Sequence, residues 1–358
     1  MADILDIDGS TLEGGGQILR MSLCFSVLCR RSIRIYNIRA GRKKPGLAAQ
    51  HLTGVALLRD ICRARVQGLQ IGSTELEFHP GDIGQGKFDG HVQTAGSISL
   101  LIQAVLPVAI FGAGSITLDL KGGTNVDMAP QVDFMTEIFR PNMEKFGATF
   151  DFDLFRRGYF PKGGGHCVVH IKPVRTLKPV SSVDFGSISK CYGWSFVAGN
   201  VPMRVSKDAS NGAKNVLQRL QPPEIDIDEY KESVDMAPDN CSGIILGLQT
   251  TTGAILGAGS LGNRQKDSFQ MGLETANIIK EAHSVGACVD RHVQDMLVVL
   301  MALADGRSAV KTEPLTMHTK TAIHIAQLMT RAKFTVTEQP NGCCLIECDG
   351  IGMKNRYL

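Results

Sequence analysis

Two stretches of this chain combine residue types able to handle phosphate. In DGSTLEGGGQILR, Glu13 stands directly before three glycines at 14–16, and Arg20 follows four residues beyond the last of them. Bare amides at a helix N-terminus attract an anion, and glycines let a phosphate come close to the backbone. A carboxylate beside such a site can hold Mg²⁺ that bridges to phosphate oxygens. A tight strand-to-helix turn, with Glu13 merely favourable to the helix dipole, fits the same residues about equally well. The second stretch, IRAGRKKPGL, sets Arg39, Arg42, Lys43 and Lys44 on a loop punctuated by glycine and proline, just ahead of Gln50 and His51 at a helix start. Charge runs are usually solvated surface. This one occupies the place in a repeat where a second copy carries Pro130 and Gln131 and a third carries His318, so the three loop ends can converge on one cleft.

His318 opens a helical stretch after a proline-bearing loop and is followed by Thr319, Lys320 and Thr321, groups suited to orienting an imidazole or meeting an anion. Position, more than spacing, sets it apart from the other histidines. His324 lies under two turns later beside Ile323 and Ile325 and reads as a packing or orienting residue. Gly257, Gly259 and Gly262 spell GxGxxG, but no acidic residue closes a second parallel strand about 20 residues on, so they read as a glycine turn. No GxxxxGK[ST] run is present. The ten cysteines form no CxxC pair and no Cys/His cluster at zinc spacing, which predicts reduced, mostly buried thiols without disulfides or structural zinc.

The elements that must position these residues repeat. A helical stripe over 16–29 leads into the alternating strand SIRIYNI; an apolar helix over 98–110 leads into SITLDL; a third over 293–303 leads into SAVKTE. The strand-opening serines, Ser32, Ser115 and Ser308, are separated by 83 and 193 residues, so the last interval is longer by 110. Each strand is followed by a loop, a second amphipathic helix and further β-rich sequence such as ELEFHP, HCVVHI and CLIECD. The pattern predicts three copies of a unit with two helices and a small sheet, the third interrupted by an inserted module between 186 and 285. That module holds the strand-like GIILGLQTTTGAILGAG and a helix-like stretch over 265–282. The class is α/β or α+β, with the large part at 1–185 and 286–358 (units at about 1–82, 83–175, and 176–185 plus 286–358) and the small part at 186–285.

Composition sets the frame. With 43% apolar and 20% charged residues over 358 positions, the chain is of globular type. Its net charge of +3 is too small for binding a polyanion by bulk charge, so such a partner must meet a local basic patch. No run of 18 apolar residues exists, and the acidic start fits no signal peptide, which predicts an intracellular protein with no membrane span.

EGGGQILR, RAGRKKPGLAAQHL, GGTNVDMAP, RGYFPKGGG and HTKTAI, in this order over nearly the whole chain, resemble the RNA 3′-terminal phosphate cyclases, the animal members especially. The resemblance implies an α+β fold of three βαβαββ units, like the C-terminal domain of translation initiation factor three, with a smaller α/β domain inserted in the third. It implies an ATP-dependent ligase that turns an RNA 3′-phosphate into a 2′,3′-cyclic phosphate, acting in the nucleus or cytoplasm. His318 would be the nucleophile that takes AMP from ATP, and Glu13 the carboxylate for Mg²⁺ or Mn²⁺. Arg20, Arg39, Arg42 and Gln50 would line the phosphate region, while Gln103, Pro130, His292, Asp295 and Met296 fall at the nucleotide. The family usually has tyrosine where this chain has His292 and glutamine where it has Met296; an imidazole stacks with less area, and a thioether lacks an amide's hydrogen bonds. Loose nucleotide choice is the expected result. Two relatives of similar architecture remain as alternatives: a catalytically silent cyclase-like factor of ribosome biogenesis, against which the intact HTKT run, Glu13 and GRKKPGL speak, and an enolpyruvyl transferase, which these motifs do not support.

Overall fold

Alternation along the strands sorts the chain into buried and solvated faces. In Ile116–Gly122, Ile116, Leu118 and Leu120 are fully buried while Thr117 and Asp119 point outward, the two-residue period of a sheet covered on one side. The computed structural model describes residues 4–263 and 265–358, and among them four mixed four-stranded sheets are packed against helices.

The first sheet is formed by β1 (Leu5–Asp8), β2 (Ile33–Tyr36), β3 (Arg65–Gln67) and β4 (Leu76–His79), with α1 (Gly16–Cys29) between β1 and β2 and α2 (Ala49–Cys62) between β2 and β3. Its strand order is β1-β2-β4-β3, parallel only between β1 and β2. The second sheet has β5 (Gly86–His91), β6 (Ile116–Gly122), β7 (Phe150–Arg156) and β8 (Gly165–Ile171) in the order β5-β6-β8-β7. α3 (Ile98–Ala109) joins β5 to β6, and α4 (Val132–Phe134), a π-helical turn at Met135–Phe139 and α5 (Arg140–Glu144) run on together before β7. Both sheets therefore have the same succession of elements and the same order.

After the short β9 (Ser181–Ser182) the chain leaves for a further sheet: β10 (Ile188–Ala198), α6 (Met203–Leu217), β11 (Ile225–Lys231), β12 (Cys241–Thr250), β13 (Ile255–Leu261) and α7 (Ser268–Ser284), ordered β11-β10-β12-β13. α7 starts three residues later than the apolar pattern indicates, because the Asp267 side chain accepts the Gln270 amide at 3.0 Å and caps the helix there. α6 and α7 cover this sheet around a core of their own that includes Ala209, Ile244, Leu246 and Ile279. The chain then returns through α8 (Gln294–Leu303), β14 (Arg307–Thr312), α9 (Met317–Met329), β15 (Lys333–Glu338) and β16 (Cys344–Asp349), ordered β15-β16-β14-β9. Gly257 and Gly259 lie inside β13, an antiparallel hairpin partner of β12, so no parallel strand-helix-strand unit surrounds the GxGxxG run. A Cβ on Gly257 would collide with Ile138 and Phe134, so glycine there lets the hairpin press onto the second helix layer.

All ten cysteines are free, and burial raises the thiols of most, Cys29 and Cys62 to about 11. None of the described helices is long and apolar enough to cross a membrane.

Candidate functional site

α1 begins at Gly16 without a side-chain cap, so its first-turn amides stay open. Glu13, whose side chain is only 9% exposed, accepts the Gly15 amide at 2.8 Å through Oε2 and pairs through Oε1 with the Arg42 guanidinium. A side chain on Gly15 would strike both groups. One on Gly16 would meet His51 Nε2 at 2.7 Å and Arg20 Nη1 at 3.0 Å, so these glycines admit an imidazole and two guanidiniums to the helix end.

His51 Nδ1 accepts the Ala48 amide at 3.3 Å. Burial, with the charges of Arg39 and Arg20, pushes its pKa down to about 4, leaving a neutral ring with its proton on Nε2 at physiological pH. Arg39, in a left-handed conformation with φ of 55°, donates to the Gly46 carbonyl at 2.8 Å. Burial lowers the Arg39 and Arg20 pKa values, against the attraction of Glu13 for each. Lys43 and Lys44 are exposed, and among the described residues neither pairs with a carboxylate.

Helices α8 and α9 close the site. The Glu13 amide donates to Thr321 Oγ1 of α9 at 3.2 Å. Gln17 Nε2 donates to the buried Asp295 carboxylate of α8 at 2.8 Å, and Arg20 donates to Gln17 Oε1 at 2.6 Å. Burial raises the Asp295 pKa against the opposing pull of His318 and Arg20, so His318 stands within electrostatic reach of this pair. His318 itself is exposed on the first turn of α9, where Thr316 Oγ1 caps the Thr319 amide at 3.1 Å. Gln294, fully buried, accepts from the Thr316 amide at 3.0 Å and from Thr319 Oγ1 at 2.6 Å, anchoring the turn that carries His318.

Behind this cradle a small cavity of about 30 Å³ lies between α1, α3 and α8, lined by Arg20, Gln17, Gln103, Asp295 and Met296 on its polar side and by Leu106, Phe139 and Met143. Met296, 8% exposed, faces this cavity and accepts from Gln103 Nε2 at 3.2 Å through its sulfur. His292 is exposed, edge-on to Phe134 with ring centroids 6.1 Å apart, and feels the charges of Asp295 and His318.

Other sequence-selected residues serve as supports. Gln50 accepts the Ser97 amide at 2.7 Å, tying α2 to the start of α3; Ser99 in turn donates to the Pro130 carbonyl at 2.6 Å. His324 is exposed, which corrects the expectation of a packing role: Ile323 and Ile325 take the buried directions on either side of it. The RGYFPKGGG stretch fastens the β11-β10-β12-β13 sheet. Arg157, 7% exposed, donates to Asp133 at 2.6 and 2.8 Å and to Glu232 at 2.5 Å, and its amide meets the Met236 carbonyl at 2.7 Å. Asp290 completes the joint. Its carboxylate accepts the Gly257, His292 and Val293 amides at 2.8 to 3.0 Å, and burial raises its pKa to about 7. Gln17, Gln294, Arg157 and Asp290 went unselected as functional, because their partners lie in distant parts of the chain; only the polar type at a core-facing helical position hinted at the first two.

Fold and site define a mixed α/β protein whose cleft joins a cationic cradle to a partly apolar cavity, chemistry suited to a phosphorylated ligand. The chain belongs to the RNA 3′-terminal phosphate cyclase family, whose model matches residues 11–336. Proteins named RNA 3′-terminal phosphate cyclase are 40% identical in Drosophila melanogaster, over 99% of both chains, and 39% identical in Pyrobaculum aerophilum, over 97% of this chain and 98% of the relative. One from Staphylothermus marinus is 37% identical over 98% and 99%. Membership makes the chain an enzyme of the ligase class.

Proposed function

We propose that the chain uses ATP to convert an RNA 3′-phosphate end into a 2′,3′-cyclic phosphate by way of AMP carried on His318, in the nucleus. The observation that supports it most is the bond from the Glu13 amide to Thr321, which brings the glycine loop before α1, with its Arg42-paired carboxylate, to the helix whose first turn carries the exposed His318. A phosphate monoester is a poor electrophile, so it must first be joined to a good leaving group. A ring nitrogen of His318 bonds to the α-phosphorus of ATP as the bond to the β-phosphate oxygen breaks, pyrophosphate leaves and the imidazole proton passes to solvent. An RNA 3′-phosphate oxygen then takes the AMP, breaking the P–N bond and forming an anhydride. The neighbouring 2′-hydroxyl attacks the 3′-phosphorus, gives up its proton and expels AMP.

Arg20 and Gln50 border the triphosphate, Arg39, Arg42, Lys43 and Lys44 meet the RNA phosphates, and Gln103, Pro130, His292, Asp295 and Met296 surround the nucleoside. Glu13 is the residue to hold Mg²⁺ or Mn²⁺. It fits: one carboxylate with substrate phosphates is ordinary for Mg²⁺, and Arg42, 42% exposed, can turn from Glu13 to a phosphate. Bound there, the ion would offset charge on the triphosphate. Residues 1–185 and 286–358 are read as a catalytic domain of three βαβαββ units resembling the C-terminal domain of initiation factor three, and 186–285 as an inserted domain.

Incubation with ATP labelled at the α-phosphate tests the reading. Acid-labile, alkali-stable label on the protein is expected, absent in His318→Ala and substantially retained in His324→Ala. Since His318 is exposed, its loss should leave the fold intact. Unlabelled wild-type protein would favour the silent assembly factor, and a labelled His318→Ala would remove His318 as nucleophile.

A further inference from the structure

The outer face of the second sheet carries a cluster separate from the cleft. Asp119 of β6 pairs in register with Asp89 of β5, and Lys121 pairs with His166 of β8; the buried Leu118 and Leu120 leave Asp119 on the solvent side. His166 Nε2 lies 2.9 Å from Asp119 Oδ1, and His91 Nε2 lies 3.7 Å from the same oxygen. One ligand atom from each of Asp89, His91 and Asp119 falls within 4.8 Å of the others. Lys87 Nζ is 2.9 Å from Asp119 and 3.9 Å from Asp89. Phe155 stacks on the His166 ring at 5.1 Å and limits its rotation.

We propose that Asp89, His91 and Asp119 form a surface site for a borderline divalent metal ion of the Zn²⁺ type, with water completing the shell and His166 hydrogen-bonded to Asp119 from the side. An imidazole with two carboxylates suits zinc better than Mg²⁺ or Ca²⁺, which prefer all-oxygen shells. Bonds of about 2.0 to 2.1 Å in tetrahedral geometry set ligand atoms roughly 3.3 Å apart. The 3.7 Å between His91 Nε2 and Asp119 Oδ1 is close to that spacing. Lys87 marks a place where positive charge is already favoured, and at 60% exposure its ammonium can withdraw to water. On binding, Lys87 gives way and the two carboxylate charges balance the ion. No Cys/His spacing motif announces the site because its ligands come from two strands, β5 and β6, joined only by register. β5 continues into the 92–97 loop, where Gly96 packs on Gln50 and the Ser97 amide binds it, so the clamp sits at the foot of one wall of the cleft.

Equilibrium dialysis of the full chain, stripped with chelator, against Zn²⁺ tests the site by difference. Wild type should bind one ion more than Asp119→Asn or His91→Ala, ions held elsewhere being common to all three. With Co²⁺ as probe, the difference spectrum should show visible d–d bands without the near-ultraviolet thiolate band. Lys87→Gln, which removes the competing ammonium, should bind Zn²⁺ tighter by about tenfold. Equal stoichiometry in wild type and His91→Ala, whose 45% exposed side chain is not needed for folding, would overturn the site. A thiolate band in the difference spectrum, or no gain with Lys87→Gln, would overturn it too.

Discussion

Replacing His51 by glutamine should remove an acid-sensitive component of stability. In the folded chain burial and the charges of Arg39 and Arg20 hold its pKa at about 4, against 6.5 ordinarily. Above pH 6.5 the ring is neutral in both folded and unfolded chains, and the stability is fully present. Below that the unfolded chain takes up a proton that the folded one refuses, so stability falls with pH until the folded ring protonates near 4. At about 1.4 kcal/mol per pKa unit the loss across the window is about 3 kcal/mol. Glutamine can still accept the Ala48 amide and does not titrate. Urea unfolding of both proteins at several pH values within the window, followed by circular dichroism, measures the difference. If the two stabilities fall in parallel between pH 6.5 and 4, the neutral, buried His51 and the cationic surroundings inferred for the cradle are wrong.

Neutralising Arg42, Lys43 and Lys44 should weaken RNA binding and flatten its salt dependence, each lost phosphate contact removing nearly one unit of log–log slope (about 0.7 for a single strand), with self-adenylylation on ATP alone suffering less; filter binding across a salt series reads both. Met296→Gln gives Gln103 and the nucleotide an amide in place of sulfur and should tighten ATP by about 1 kcal/mol, roughly fivefold, read as the ATP dependence of self-adenylylation. Adding His292→Tyr should contribute a further 0.5 to 1.5 kcal/mol or so by stacking, and unchanged affinity in both would mean that ATP does not reach this wall. Arg157→Met strands the Asp133 and Glu232 carboxylates at the joint with the β11-β10-β12-β13 sheet and should cost about 3 to 5 kcal/mol in denaturant unfolding; a cost under about 1 kcal/mol would show that the joint is hydrated.

Periodicity made much of the fold legible. The stripe over 16–29 coincides with α1, and the serine-led strands with β2, β6 and β14, because which face is buried depends on neighbours a few residues away. Boundaries were less legible where a capping side chain decided them, as Asp267 does for α7. Within the site, Glu13, Arg20, Arg39, Arg42 and His318 could be singled out since each sits in a short run whose residue types already suit anions or nucleophilic chemistry. The packing role read for His324 fails because its apolar neighbours in sequence are not its neighbours in space: on a helix, adjacent residues point about 100° apart, and Ile323 and Ile325 turn inward while His324 does not.

Sequence alone determined the units of chemistry: a carboxylate before glycines, a cationic loop, a histidine at a helix start, and helices and strands of a given period. Tertiary structure decided what they meet. Gln17 reaches Asp295, the Glu13 amide finds Thr321, Arg157 lies between Asp133 and Glu232, and the sulfur of Met296 meets Gln103. Each pairing joins segments far apart in the chain, where no local periodicity operates. A buried polar group must be satisfied by whatever the packing of helices and sheets brings within about 3 Å, and that partner is written in no one stretch of sequence.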